Sequence, residues 1–218
     1  MKQIHNLPNR QSTRLREYDY SGLGIYFLTL CVEGREPLFG TIENGEMRLN
    51  SFGKIVAEEW VRSAEIRNNI SMGEYIIMPD HFHGIIQIIQ KNEKENTAKP
   101  GEFKSPSHSI GAIIRGFKGA TTKRIKPSLF CTVEWYSLHP AKHLPQLESP
   151  IEEKDEQNSL LNSSQDCLPN EEELKILKRF NPNKSIWQRN YHDRIIRDAQ
   201  HLGNTINYII KNPSKWNK

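Results

Sequence analysis

The sequence has few of the features that define secreted, membrane and zinc-cluster proteins. Only three cysteines occur in 218 residues, and they are far apart: Cys31, Cys131 and Cys167. Because their number is odd and their spacing fits neither a disulfide framework nor a zinc cluster, we expect reduced thiols. The N-terminus has no apolar signal-peptide segment, and no run reaches the roughly 18 apolar residues of a membrane span. These absences predict a cytoplasmic protein without a membrane partner.

Several common catalytic patterns are absent as well. The chain has no glycine-rich phosphate loop, no cysteine–histidine zinc spacing and no Ser-His-Asp signature. Any catalytic chemistry must therefore come from other combinations of histidine, tyrosine and polar side chains.

The charge is unevenly distributed along the chain. The net charge is only +4, but residues 138–173 contain nine acids against two bases, which leaves about +11 for the rest. A basic body with an acidic segment set apart indicates a polyanionic partner such as nucleic acid. A basic surface that serves only solubility is the alternative.

Residues 79–83 (Pro-Asp-His-Phe-His) present the first candidate site. His81 and His83 flank Phe82 and lead into an apolar run at 84–89. Side chains two apart on a strand share a face, so the two imidazoles should project side by side while Phe82 enters the core. Two imidazoles on one rigid face form half of a metal site. Ordinary surface or core histidines are the alternative.

The last predicted helix supplies possible partners for the histidines. Tyr208 and Asn212 are four residues apart, so they lie on one helix face with an offset of roughly 40°. An amide oxygen is a hard ligand suited to Mg²⁺ or Mn²⁺. A tyrosine near the metal can act as a nucleophile, although an amphipathic packing residue would look the same in sequence.

Tyr191 is the competing nucleophile, and His192 follows it directly. Adjacent side chains on a strand face opposite sides, so these two residues cannot both face one site. Tyr191 is therefore retained as the runner-up to Tyr208.

The apolar patterns predict an α+β fold. A strand at 25–32, a hairpin around Asn44-Gly45 and a helix capped by Ser51 and running to Ile66 come first. Strands at 74–78 and 81–90 follow, then a helix from Ser107 or Ser109 to about Ile125, a strand at 187–197 and a helix from Ala199 to about Lys211. This order is the ferredoxin-like split β-α-β sandwich, with an antiparallel sheet, an added β-hairpin and a C-terminal helix.

Three segments with different roles follow from composition. Residues 1–24 form a basic N-terminal arm whose candidate DNA contacts are Arg10, Arg14 and Arg16. Residues 25–126 and 184–218 form the main domain. Residues 127–183, rich in proline, glutamate, serine and asparagine, are predicted to be a flexible or weakly ordered insertion.

The second helix is the main candidate DNA-binding element. No acid occurs between Ser107 and Lys126, and an apolar stripe leaves only positive charges elsewhere. The candidate phosphate contacts are Arg115, Lys118, Lys123 and Arg124. A solvated basic face is the alternative.

Several of these stretches, in the same order, resemble the REP-associated tyrosine transposases, which are single-tyrosine HUH transposases. The similar segments are 18–20 (Tyr-Asp-Tyr), 44–47 (Asn-Gly-Glu-Met), 78–86 (Met-Pro-Asp-His-Phe-His-Gly-Ile-Ile), 110–118 (Ile-Gly-Ala-Ile-Ile-Arg-Gly-Phe-Lys), 187–191 (Trp-Gln-Arg-Asn-Tyr) and 208–213 (Tyr-Ile-Ile-Lys-Asn-Pro). The resemblance covers most of residues 10–126 and 186–216.

The resemblance implies a single-stranded DNA endonuclease and strand transferase. Such an enzyme nicks and rejoins DNA next to hairpin repeats through a 5′-phosphotyrosine intermediate. The implied metal is Mg²⁺ or Mn²⁺, with His81 and His83 as ligands, Tyr208 as the nucleophile and Asn212 as the third ligand. Many relatives have glutamine at the position of Asn212, so the shorter side chain is a departure from their pattern.

The resemblance also implies single-stranded and hairpin DNA as partners, a homodimer as one assembly state, and a bacterial, nucleoid-associated location. Two other classes stay open. One is a catalytically silent DNA-hairpin-binding protein, and the other is a metal-dependent enzyme with a non-nucleic substrate, which the basic body disfavours.

Overall fold

The computed structural model describes residues 18–90, 109–138, 175, 181 and 183–216, with only the backbone for 128–138. The strands are β1 (Gly24–Cys31), β2 (Gly40–Glu43), β3 (Glu46–Leu49), β4 (Ile70–Met78), β5 (His81–Ile88) and β6 (His192–Ile196). The helices are α1 (Ser51–Glu65), α2 (Ile110–Leu138) and α3 (Ala199–Ile210). Single 3₁₀ turns occur at Glu33–Arg35 and Pro213–Lys215.

Four strands form one antiparallel sheet in the order β4-β5-β1-β6. Strand β5 therefore lies between β1 and β4, which are joined through α1. This is the split β-α-β arrangement, so the predicted ferredoxin-like fold is confirmed. The predicted hairpin is also confirmed, with β2 paired to β3 and with Asn44 and Gly45 both at positive φ, as the tight turn requires.

One face of the sheet carries α1, α2 and the main hydrophobic core. Alternate side chains of β1 and β5 enter this core and meet the apolar stripes of both helices. The largest fully buried members include Tyr26, Trp60, Phe82 and Phe117. Phe82 contacts Trp60 with a ring-centroid distance of 4.7 Å. The prediction that Phe82 points into the core is therefore confirmed.

The other face is covered by α3 through a smaller apolar cluster. Its fully buried members are Ile85, Ile196 and Ile209, and Leu202 and Ile206 pack against them. Ile210 continues the apolar pattern of this helix, but it is 60% exposed. Because each residue turns the helix by about 100°, Ile210 lies roughly 90° from the centre of the stripe.

The last strand begins later than predicted. Trp187 forms only an isolated bridge to Val32, and regular pairing with β1 starts at His192. The indole of Trp187 is buried and donates to the Thr121 hydroxyl at 2.8 Å. The carbonyls of Gln188 and Asn190 accept from the Lys118 ammonium. Residues 187–191 therefore follow the contacts of α2 and not a strand ladder.

Helix boundaries differ from the predictions in two places. The N-cap of α1 is Asn50, whose side chain accepts from the Gly53 amide, and not Ser51. The prediction that α2 ends near Ile125 was wrong, because the helix continues through Pro127 to Leu138. Proline removes one helical hydrogen bond, but residues 128–138 contain no glycine or second proline that would stop the helix. The predicted domain limits stay predictions.

Some predicted features fall outside the described residues. Arg10, Arg14 and Arg16 of the basic arm do so, as does most of the predicted insertion. Within the described ranges, no helix is both long and apolar enough to cross a membrane.

Gly84 allows the aromatic core to pack directly beneath the histidine strand. A Cβ at this position would lie 2.7 Å from the Phe82 ring and 2.8 Å from the Trp60 indole. Both contacts are shorter than carbon atoms tolerate, and both partners are rigid rings. The site is therefore supported by a close approach that only glycine permits.

We expect Gly84→Ala to destabilise the protein by about 1–3 kcal/mol, because the Phe82 and Trp60 rings must shift. Urea denaturation followed by circular dichroism measures this change. The matched control is Gly119→Ala in α2, where an added Cβ meets nothing within 4 Å. There the change should stabilise by roughly 0.5–1 kcal/mol. Equal effects of the two substitutions would show that the packing under Gly84 is not tight.

Candidate metal and tyrosine site

His81 and His83 open β5 and face α3. In the register of the sheet His81 lies opposite Cys31, and His83 lies opposite Thr29. The side chains are 6% and 4% exposed, and the two ring centroids are 4.6 Å apart. The strand alternation thus places both imidazoles on one face, as the sequence predicts.

Hydrogen bonds orient both rings through the same nitrogen. Nδ1 of His81 lies 2.5 Å from the Asp80 carboxylate, and Nδ1 of His83 lies 2.9 Å from the Thr29 hydroxyl. When these Nδ1 atoms carry the proton, each Nε2 presents a lone pair. A carboxylate or hydroxyl behind a histidine is the usual support of a metal-ligating imidazole. The donor set therefore fits a divalent cation held by two Nε2 atoms.

The sequence analysis missed Asp80 as a functional residue. Its side chain is 1% exposed and holds His81, and the Arg35 guanidinium lies 3.5 Å from its second oxygen. The Asp80 carbonyl accepts from the Val32 amide at 2.9 Å. The available signal was its position directly before the first histidine.

Burial sets the protonation state of His83. Removal from water is the largest cause, and the neighbouring His81 adds to it, so that the pKa of His83 is lowered to about 3. The imidazole is therefore neutral near pH 7 and keeps a lone pair for a ligand. A general base works best with a pKa near the working pH, so this histidine is better suited to coordination than to proton abstraction.

Tyr208 lies beside His83, although 125 residues separate them. Its hydroxyl is 3.4 Å from Nε2 of His83, and the ring centroids are 5.4 Å apart. Phe27 of β1 contacts both rings, stacked on His83 at 5.1 Å and edge-on to Tyr208 at 5.9 Å. Tyr208 is nonetheless 46% exposed. The phenol is thus fixed next to a histidine and open to a large substrate.

Tyr191 lies elsewhere. It packs against the core cluster on the side of α1 and α2, with the Lys118 ammonium 6.0 Å from its ring. His192, the next residue, lines a cleft with His83 and Tyr208. The structure therefore places Tyr208, and not Tyr191, beside the histidines. Tyr191 and His192 point to opposite faces of the sheet, as expected for neighbours on a strand.

Asn212 lies two residues beyond the end of α3, as the N-cap of the last 3₁₀ turn, and not within the helix that carries Tyr208. It is half-buried, and no hydrogen bond joins its side chain to either histidine among the residues described. Trp216, four residues later, lies over His81 at 5.8 Å. The described part of the chain contains no cluster of three His, Cys, Asp or Glu side chains suited to a metal ion. A third ligand role for Asn212 stays a prediction.

An open cleft of about 690 Å³ extends from His83 and Tyr208 along β6 and α3. Its polar lining includes His192, Asp193, Arg194, His201 and Asn204. Arg194 is exposed and lies opposite Phe27 in the sheet. Because Phe27 stacks on His83, Arg194 lies on the same face of the sheet as the two histidines. The cleft can admit an extended polyanion alongside the tyrosine.

The basic residues predicted on α2 have different environments. Arg124 forms ion pairs with Glu58 and Glu59 of α1, so it joins the two helices. Lys118 donates to two backbone carbonyls. Arg115 and Lys123 are exposed. DNA contact by these four residues stays a prediction. The side chains of Arg124 and Lys118 already bond to other parts of the protein.

Comparison with known proteins gives remote similarities. No family model matches the chain. An uncharacterized protein of Haemophilus influenzae strain Rd is 28% identical over 217 residues, covering 95% of this chain and 90% of that protein. Two solved structures are also similar. One is a REP-associated tyrosine transposase bound to a REP hairpin, with 14% identity, a TM-score of 0.48 and coverage of 94% of this chain and 74% of that one. The other is a candidate transposase of Deinococcus radiodurans R1, with 15% identity, a TM-score of 0.38 and coverage of 93% and 98%.

The buried neutral state of His83 predicts an acid-sensitive fold. In the unfolded chain the His83 imidazole takes up a proton below about pH 6.5, whereas in the folded protein it stays neutral down to about pH 3. The unfolded state therefore binds more protons, and the free energy of unfolding falls as the pH falls. The expected contribution is about 2 kcal/mol between pH 7 and pH 5. Urea denaturation with a chelator present should show this loss in the native protein and a correspondingly smaller one in His83→Gln. Parallel stability curves for the two proteins would contradict the assignment.

Proposed function

We propose that this protein is a metal-dependent single-stranded DNA endonuclease and strand transferase, that is, a tyrosine transposase. The observation that carries the proposal is the Tyr208 hydroxyl at 3.4 Å from Nε2 of His83, beside His81 on one sheet face. A phenol exposed at the mouth of a cleft and placed beside the buried neutral imidazole of His83 fits nucleophilic attack on a bound phosphodiester. The ordered motifs that resemble REP-associated tyrosine transposases point to the same reaction.

His81 and His83 would hold a divalent cation, Mg²⁺ or Mn²⁺, through Nε2. Bound there, such an ion supplies charge neutralisation and polarisation of the scissile phosphate. Asn212 is the candidate third ligand, because an amide oxygen suits a hard cation. Asp80 and Thr29 keep the two imidazoles in the required tautomer and orientation.

The chemistry assigned to the chain itself is attack by Tyr208. Its oxygen bonds to phosphorus, the bond to the 3′-oxygen breaks, and the products are a 5′-phosphotyrosine and a free 3′-hydroxyl. The phenol proton leaves to water on the exposed side, since His83 with its low pKa is a poor acceptor. Attack of another 3′-hydroxyl on the phosphotyrosine rejoins the strand and frees Tyr208, so no nucleotide is consumed.

A catalytically silent DNA-hairpin-binding protein is the second candidate. The basic body of the chain favours it, because charge complementarity with DNA does not require a nucleophile. A closely placed Tyr208 and His83 pair has no role in that function. The covalent experiment described next therefore separates the two candidates.

Incubation with Mn²⁺ and an end-labelled hairpin that carries single-stranded flanks should give a protein–DNA adduct that survives denaturation. Tyr208→Phe should abolish the adduct, because the attacking oxygen is gone. Tyr191→Phe removes one hydroxyl from the other tyrosine and serves as the matched control, with the adduct expected to persist. Gel electrophoresis under denaturing conditions reads out both.

Loss of the adduct in Tyr191→Phe and its persistence in Tyr208→Phe would overturn the choice of nucleophile. Tight hairpin binding by the native protein without any adduct would favour the silent binding protein.

Asp80→Asn should weaken Mn²⁺ binding by about 10–100-fold, because a neutral amide no longer holds the Nδ1 proton of His81 with a charge. Isothermal titration calorimetry without DNA measures this directly. Asp198→Asn is a matched control with the same change in charge, since asparagine caps α3 as well as aspartate does. Equal Mn²⁺ affinities of all three proteins would contradict the role of Asp80.

A further inference from the structure

A second groove lies on the α2 side of the sheet, away from the cleft at Tyr208. It has a volume of about 420 Å³ and runs between α2 and residues 185–189. Three basic side chains line it: Lys118, Lys123 and Arg189. Thr122 and Ser185 line it too, and none of the lining residues that the structure describes is acidic. The groove therefore combines positive charge with hydrogen-bond donors.

Among the residues that the structure describes, Lys118 has no acidic partner in this groove. Its ammonium donates to the carbonyls of Gln188 and Asn190 at 2.8 and 2.9 Å. These neutral acceptors fix its position and do not cancel its charge. Burial lowers the pKa of Lys118 to about 8, the sign of an ammonium removed from water without full compensation. An anion in the groove would offset that cost.

The other two bases are also available for an external anion. Within the described residues neither Lys123 nor Arg189 takes part in an ion pair, and both are exposed. Arg124, next to Lys123 in sequence, differs, because Glu58 and Glu59 already neutralise it. Adjacent basic residues of α2 are thus divided between helix packing and this groove.

The groove adjoins the same end of the sheet as the histidines. Its Gln188 donates its backbone N–H to the carbonyl of Cys31 at 2.9 Å, and Cys31 is the β1 residue opposite His81. The histidines and the groove therefore adjoin the same end of β1, the histidines on the α3 face of the sheet and the groove on the α2 face.

We propose that the groove formed by Lys118, Lys123 and Arg189 binds a backbone phosphate of the DNA strand whose scissile phosphate lies at Tyr208. The inference rests on the proposed function for the identity of that strand. Phosphodiester is the chemical class that suits three basic groups around an open groove.

Gly119 lies in the groove, and a Cβ added there meets nothing within 4 Å. It allows a test by charge alone, comparing Gly119→Glu with Gly119→Gln. The two side chains have nearly the same size and helix propensity, so folding should be affected alike. The carboxylate should weaken binding of the single-stranded-flanked hairpin by about tenfold relative to the amide.

The measurement is fluorescence anisotropy with labelled DNA in a Tyr208→Phe background, so that no covalent step contributes. Ser71→Glu, on the opposite edge strand, adds the same charge to an exposed position and should change affinity little. Arg189→Gln should reduce the slope of log affinity against log salt by about 0.7, the loss of one single-strand phosphate contact.

Equal DNA affinities of Gly119→Glu and Gly119→Gln would overturn the proposal, and so would a groove that binds inorganic phosphate without any effect on DNA affinity. The outcome is separate from that of the proposed function. An adduct at Tyr208 with no charge effect at Gly119 would reject the groove alone. A charge effect at Gly119 without an adduct would reject the nuclease and keep the groove.

Discussion

The packing of Phe82 against Trp60 is the contact on which the candidate site depends. Strand side chains alternate, so the burial of Phe82 on one face commits His81 and His83 to the other. A slip of one residue in register would bury the imidazoles in the aromatic core and expose Phe82. Because Gly84 lets both rings approach the backbone closely, this register is held by dense packing and not by hydrogen bonds alone.

The sequence allows the fold and the faces of its elements to be predicted, because both follow from short-range periodicity. The alternation at His81 and His83 and the apolar stripe of α3 are local patterns, and they hold in the structure. Long-range contacts explain the failures. Residues 187–191 look like a strand in sequence, yet they follow hydrogen bonds to Lys118 and Thr121 of α2. Asp80 gave no periodic signal, since its role depends on the ring nitrogen of the next residue.

The residues of the candidate site differ in their exposure to water, and this difference suits them to different roles. His83 and Asp80 are removed from water. Burial keeps the His83 imidazole neutral. The low dielectric also strengthens the hydrogen bond that the Asp80 carboxylate accepts from His81. Tyr208 is half exposed, and the proposed attack on a polymer substrate requires such exposure. This separation was not readable from sequence, because Tyr208 and Ile210 lie on opposite flanks of one helical stripe, and only the fold shows that Tyr208 is the one beside His83.

The end of β1 connects the histidine site with the basic groove beside α2. The amide of Val32 donates to the Asp80 carbonyl, and the amide of Glu33 donates to the Ile186 carbonyl. The turn before His81 and the segment that walls the second groove are therefore bonded to adjacent residues of one strand end. Arg35, just beyond, holds the Asp80 carboxylate from a left-handed backbone conformation that is costly for a residue with a side chain. A displacement of this strand end would move the support of His81 and the wall of the groove together, so its rigid pairing in the centre of the sheet keeps both surfaces in a constant relation.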